Sequence, residues 1–207
     1  MAEKINLREM EKRSFRSFFQ DGMQDVGFGV LLLCFALAPV VRDMYGYAYI
    51  ILLVVPGPLV ITLGRKYITQ PRMGVAKFNE KRKTERKRIA KISAVSTLTL
   101  LALLSLTLLG IFPGPTVRAI GGAGFMAAIG VAVVALMGYI AYLLDFKNML
   151  YYGFIIGFGI VASEILHGVV GAPLDSLIVF GTSGTLLLAY GIVSVLRFLK
   201  DNPKQAV

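Results

Sequence analysis

Residues 65–91, RKYITQPRMGVAKFNEKRKTERKRIAK, hold eleven of the chain's 22 Lys and Arg residues against two Glu. This block is the one long polar interruption between apolar runs. A short polar arm and two apolar segments precede it, and four apolar segments and a short tail come after it. A helix rises about 1.5 Å per residue and the hydrocarbon core is about 30 Å thick, so a span needs roughly 20 residues. Six runs meet that length. The pattern predicts an all-α integral membrane bundle of six transmembrane helices, forming a single domain over residues 1–207.

The bulk composition points the same way. Hydrophobic residues make up 56% and charged residues 16%, against about 25% charged in soluble globular chains, and the mean hydropathy is +0.71. An ordinary soluble fold is excluded. The single cysteine, Cys34, has no intrachain partner and reads as a small apolar packing residue. Ala36-Leu37-Ala38 has the look of a leader-peptide cleavage site, but the long mixed-charge stretch before it and Pro39 after it argue against a cut.

Residues 1–20 mix both charge signs with Ile5, Leu7, Phe15, Phe18 and Phe19, the pattern of an interfacial helix lying on the membrane surface. The first span is expected at 21–41. It opens with Asp21 and Asp25, four residues apart, and acidic residues in a first turn favour the helix dipole, so these read as capping groups. The second span, 47–64, contains Val55-Pro56-Gly57-Pro58. Pro56 and Pro58 each remove a backbone donor, which predicts a kink or helix break there. Within the basic block, Thr69-Gln-Pro-Arg-Met-Gly74 reads as a turn and 75–91 as a solvated helix with Glu80/Lys83 and Glu85/Arg88 at i, i+3. Further spans are expected at 92–112, 122–144, 149–170 and 176–199, with Gly171-Ala-Pro-Leu-Asp175 linking the last two. The PGP tripeptide recurs at 56–58 and 113–115, but the two halves show no other match.

Alternate sides of such a bundle can be compared by their basic residues. The arm, the basic block, the 145–148 turn and the tail hold 20 Lys and Arg; the other side holds only Arg42 and Arg118. The positive-inside rule therefore predicts a cell-membrane protein with both termini and residues 65–91 in the cytosol. There the block would contact anionic lipid headgroups through Arg72, Lys81, Arg82, Lys83, Arg86, Lys87 and Arg88, or act only as a topological determinant. Nucleic acid is disfavoured as a partner: a single-strand platform interleaves aromatics, and only Tyr67 and Phe78 occur here.

The segment Pro71-Arg-Met-Gly-Val-Ala-Lys-Phe78, just after the second span, is similar to a Pro-Arg-x-Gly segment in small multispanning prokaryotic membrane proteins without an assigned activity. That resemblance covers about ten residues and the surrounding topology, and it implies no catalytic residue.

Glu164 is the one acidic residue well inside an apolar run, and a charge in the bilayer is expensive enough to suggest a role. At 100° per residue, Gly153, Gly157, Ile160, Glu164, His167, Gly168 and Gly171 share one face, while Tyr151, Phe158, Ile165 and Val169 lie opposite. Small residues favour close helix packing in membranes, so Glu164 and His167 are expected to face the bundle. With Thr182 and Ser183 on the next span at a similar depth, and Arg118 as the nearest counter-ion, they would form an intramembrane polar cluster.

Three readings of that cluster compete. It is structural, with the carboxyl neutralised or paired and the hydroxyls bonding across helices. Or it relays protons or cations in a transporter of a small solute, with Pro56 and Pro58 opening a cavity. Or it is an intramembrane protease: six spans, Gly181-Thr-Ser-Gly184 and one His resemble the rhomboid type, which casts Ser183 as nucleophile and His167 as base. Here, however, His precedes Ser on the neighbouring span. One His and no Cys cluster imply no metal, and nothing implies a cofactor. The favoured expectation is a non-enzymatic interaction or accessory protein, self-associating through its glycine faces.

Overall fold

A computed structural model describes residues 21–46, 51, 55–73, 122–144 and 146–203. The expected interfacial arm at 1–20, the third span at 92–112, the helix at 75–91 and Arg118 lie outside the described residues, as do Lys81, Arg82, Lys83, Arg86, Lys87 and Arg88.

Among the described residues all regular structure is helical. In chain order the elements are α1 (Met23–Tyr45), α2 (Pro56–Gly64), a π-helical turn (Arg65–Thr69), α3 (Gln70–Met73), α4 (Gly122–Leu144), α5 (Asn148–Val170) and α6 (Leu174–Asp201). Four of them, α1, α4, α5 and α6, are long and apolar enough to cross a membrane. The chain is therefore a membrane protein. Its close-packed parts form two units, Met1–Val75 with Ala172–Val207, and Ala76–Gly171.

In the first unit α1 is the central element, with α2 on one face and α6 on another. Lipid tails are as apolar as leucine, so helices in a membrane gain by close backbone contact more than by burying side chains. Glycine permits that contact. A Cβ built on Gly29 would lie 2.7 Å from the Leu188 nitrogen, one on Gly191 2.6 Å from the Val26 nitrogen, and one on Gly184 3.0 Å from the Leu33 nitrogen. Rising numbers in α1 meet falling numbers in α6, so the two run antiparallel. Phe35 and Phe180 complete the contact with ring centroids 5.6 Å apart.

The α1–α2 pair is built likewise. A Cβ on Gly57 would lie 3.1 Å from the Gly27 carbonyl oxygen, and Gly64 is pressed against the Met23 side chain. Pro56 and Pro58 stand in the first turn of α2, where a missing N–H costs little. Beyond Gly64 the described part of the turn expected at 69–74 is helical: the helix continues through Pro71 to Met73 by way of the wide π turn. The Gln70 N–H bonds to the Arg65 carbonyl, five residues back. A widened turn gives room ahead of a proline ring that would otherwise press on the carbonyl four residues earlier.

In the second unit α4 and α5 pair antiparallel. Cβ atoms on Gly130 and Gly157 would each lie 2.6 Å from the other residue's carbonyl oxygen, and one on Gly153 would lie 2.6 Å from the Met137 Cβ. The Gly153–Gly157 half of the expected α5 face is thus in contact, and Phe158, Ile165 and Val169 are exposed. Among the described residues, a Cβ built on Gly168 or Gly171 would meet nothing within 4 Å. Gly171, at φ 73°, ends α5 by donating its N–H to the His167 carbonyl at 3.0 Å. At the start of α6, Leu174 and Asp175 are helical and not part of the connection expected at 171–175.

These contacts predict a contrast between two conservative substitutions. Gly191→Ala must push apart two backbones and should lower unfolding stability in detergent by about 1–3 kcal/mol. Gly168→Ala, which adds a methyl to open space, should leave it within about 0.5 kcal/mol. Thermal or SDS unfolding followed by circular dichroism distinguishes the two.

Candidate functional site

The most completely built polar site lies where α1 begins and α2 ends. Asp21 is 1% exposed, and both of its carboxylate oxygens are engaged. Oδ1 accepts the Met23 N–H at 3.0 Å, which caps α1. Oδ2 accepts the Thr69 hydroxyl at 2.7 Å, and Arg65 Nε stands 3.5 Å from the same oxygen. The guanidinium also donates from Nη2 to Gln24 Oε1 at 2.8 Å. Gln24 and Asp25 are buried beside it.

Local sequence explains the arrangement. Gly22, at φ 74°, supplies the left-handed residue between Asp21 and the first turn of α1. Any side chain there would strike Ser194 and the backbone at Gly191 and Val195 of α6. That contact sets α6 against the residue next to Asp21. An isolated carboxylate would pay heavily for such burial, and Asp21 is compensated by a cation and two hydrogen bonds. Asp21 therefore does more than the capping expected of it: one oxygen caps α1 while the other ties α1 to the helix 48 residues on.

The residues expected to form an intramembrane cluster lie on two helices, each described within its own unit. Glu164 is half-buried and His167 exposed on α5, in the unit 76–171. Thr182 and Ser183 belong to α6 in the other unit. Their hydroxyls do not donate across helices as the structural reading expected. Thr182 Oγ1 donates to the Ile178 carbonyl at 2.6 Å, and Ser183 Oγ to the Val179 carbonyl at 2.7 Å. Thr185 and Ser194 repeat this back-bonding, which satisfies a hydroxyl inside its own helix. Among the described residues, no group of three or more His, Cys, Asp or Glu side chains is placed to hold a metal ion.

Of the expected lipid contacts, Arg72 is described. It is half-buried, and its Nη1 donates to the Ile68 carbonyl at 2.9 Å. Lys66 is exposed and lies 5.6 Å from the Tyr67 ring centroid. The chain matches no protein-family model, and no curated protein or solved structure is significantly similar to it.

Sequence reasoning misses Arg65, Thr69 and Gln24. By pattern Arg65 belongs to the solvated charges of the basic block, and Thr69 to a turn. The usable signal is the end of the second span: a hairpin of two antiparallel helices brings the start of one beside the end of the other, which makes Asp21 and Arg65 neighbours.

Breaking one side of this pair should cost more than removing both. We expect Asp21→Asn or Arg65→Met alone to destabilise by about 3 kcal/mol, because each leaves the partner buried and uncompensated. The double variant should recover at least about 1 kcal/mol of that loss. A double-mutant cycle measured by reversible SDS unfolding gives the coupling directly.

Proposed function

We propose that this chain is a multi-pass integral membrane protein with a non-enzymatic interaction or accessory role, presenting the basic residues 65–91 to anionic lipid headgroups on the cytoplasmic side. The observation that carries the reading is the anchoring of Arg65. The block is rooted in the helix pair by its first residue, and Arg65, Lys66 and Arg72 continue the helix of α2 outward. A cation over a tyrosine, as in Lys66 and Tyr67, suits the headgroup level where aromatic and basic side chains gather. The charge count of 20 against 2 supports a cytosolic location for both termini. Self-association belongs to this reading, and among the described residues nothing lies within 4 Å of a Cβ built on Gly168 of α5.

Each Lys or Arg near an anionic surface is worth about 1 kcal/mol. Neutralising Lys81, Arg82, Lys83, Arg86, Lys87 and Arg88 together should therefore abolish the enrichment of anionic lipid around the purified protein. Native mass spectrometry of protein released from mixed zwitterionic and anionic nanodiscs reads this enrichment. Undiminished enrichment in the six-fold variant would sink the lipid-contact reading.

A second reading rests on Glu164, an acidic residue half-buried in an apolar helix one turn from His167. As a proton or cation relay it would support pH-dependent flux of a small solute in proteoliposomes. Glu164→Gln should reduce that flux at least tenfold; equal flux in the variant removes the relay.

A further inference from the structure

We infer that the Asp21 carboxylate is a latch on the rotational register of the helix leading out of the second span. While tethered, it holds the wide turn Arg65–Thr69; released, the turn narrows to α geometry and the residues beyond it rotate by about one helical position, roughly 100°.

A π turn contains one residue more than an α turn spanning the same axial distance. Such turns are rare and occur mostly as single insertions within α-helices, frequently at functional sites. Two features act on this one. Pro71 has no N–H to give and its ring disfavours a tight turn before it, and Arg72 occupies the Ile68 carbonyl with its side chain at 2.9 Å. These features act locally and lower the difference between the two geometries. The tether acts from outside the helix. Arg65 and Thr69, the first and last residues of the turn, both converge on Oδ2 of Asp21, at 3.5 and 2.7 Å. Gln24 adds a second acceptor for Arg65 from the same end of α1.

Release leaves no orphaned group on the second helix. Thr62, seven residues before Thr69, shows the alternative for the hydroxyl: it donates to the Pro58 and Leu59 carbonyls of its own helix at 2.9 and 3.0 Å. The Arg65 side chain already has 16% exposure and can extend to solvent or headgroups. Upstream of the turn, α2 is held independently by Gly57 against Gly27 and by Gly64 against Met23. The motion is therefore confined to the chain beyond Arg65, including Arg72 and Met73. Residue register, and not helix position, is the variable.

The test uses full-length protein in nanodiscs with Cys34→Ala and single nitroxide labels at Leu59, Leu63, Gln70, Arg72 or Met73. Accessibility to oxygen and to a water-soluble nickel chelate is read by electron paramagnetic resonance. In Asp21→Ala we expect the pattern over Gln70 to Met73 to be displaced by one residue while Leu59 and Leu63 keep theirs. Deleting Ile68 in the Asp21→Ala background removes the extra residue of the wide turn and should return Gln70 to Met73 to the native pattern. An unchanged pattern beyond the turn overturns the latch. A change at Leu59 and Leu63 as well overturns it too, because Asp21 would then hold the whole helix and not its register. Should Asp21→Ala fail to fold, Thr69→Val keeps the side-chain volume and removes the shortest bond; it must then show the same displacement in part of the population, and its absence counts against the latch.

Discussion

The fold depends on how closely α1 approaches its two neighbours. Gly27 faces α2, while Gly22 and Gly29 face α6, and at each position a single added methyl would meet backbone or a fixed side chain. In a hydrocarbon solvent this proximity is itself the source of association, through dispersion and carbonyl-to-backbone contacts that longer side chains would prevent. Small residues recur every seven positions, at Gly22 just before α1 and Gly29 and Ala36 within it, and at Gly184 and Gly191 in α6. Seven residues are close to two turns, so each series stays on one face. The same device, with different residues, joins α4 and α5 at Gly130 and Gly157.

Close approach creates the polar site. The start of α1 meets α6 at Gly22 and Gly191, and the adjacent Asp21 is 1% exposed. A carboxylate in that position has to find its compensation within the protein. The end of α2 supplies it, and the wide turn brings Arg65 and Thr69 together on one carboxylate oxygen. The exposed Arg42–Asp43 pair at the other end of α1 makes the contrast clear. Its partners are 51% and 70% exposed at 3.4 Å, a geometry worth little in solvent.

Much of the helix pattern was legible because it derives from hydropathy and length. The fourth span was expected at 122–144 and α4 occupies Gly122–Leu144; the fifth and sixth agree within a few residues at each end. Helix ends were less legible where the backbone obeys tertiary contacts. Thr69, Pro71 and Gly74 have turn chemistry, yet the helix persists to Met73 because the wide turn accommodates the proline and the ionic tether fixes its flank. Leu174 and Asp175 read as connection, but α6 begins with them. The glycine face of α5 was visible as a face. Its extent was not: Gly153 and Gly157 touch α4, while among the described residues nothing lies within 4 Å of a Cβ on Gly168, which periodicity alone does not separate.

Glu164 and Asp21 show why the site was the hardest part to read. A sequence ranks intramembrane charges by their distance from the ends of an apolar run, and by that measure Glu164 is deep and Asp21 marginal. Burial in the folded chain is governed by neighbouring helices. Glu164 is half-buried on α5, whereas Asp21 is almost wholly enclosed next to the contact between Gly22 and α6. In a bundle whose backbones touch, the positions with least room for solvent are those beside glycine contacts, wherever they fall along the span. A charge there is costly in isolation, so it persists only with partners, and those partners must come from helices that the same glycines bring near. Asp21, Arg65 and Thr69 meet that condition because Gly22 and Gly64 flank them on the two helices that meet there.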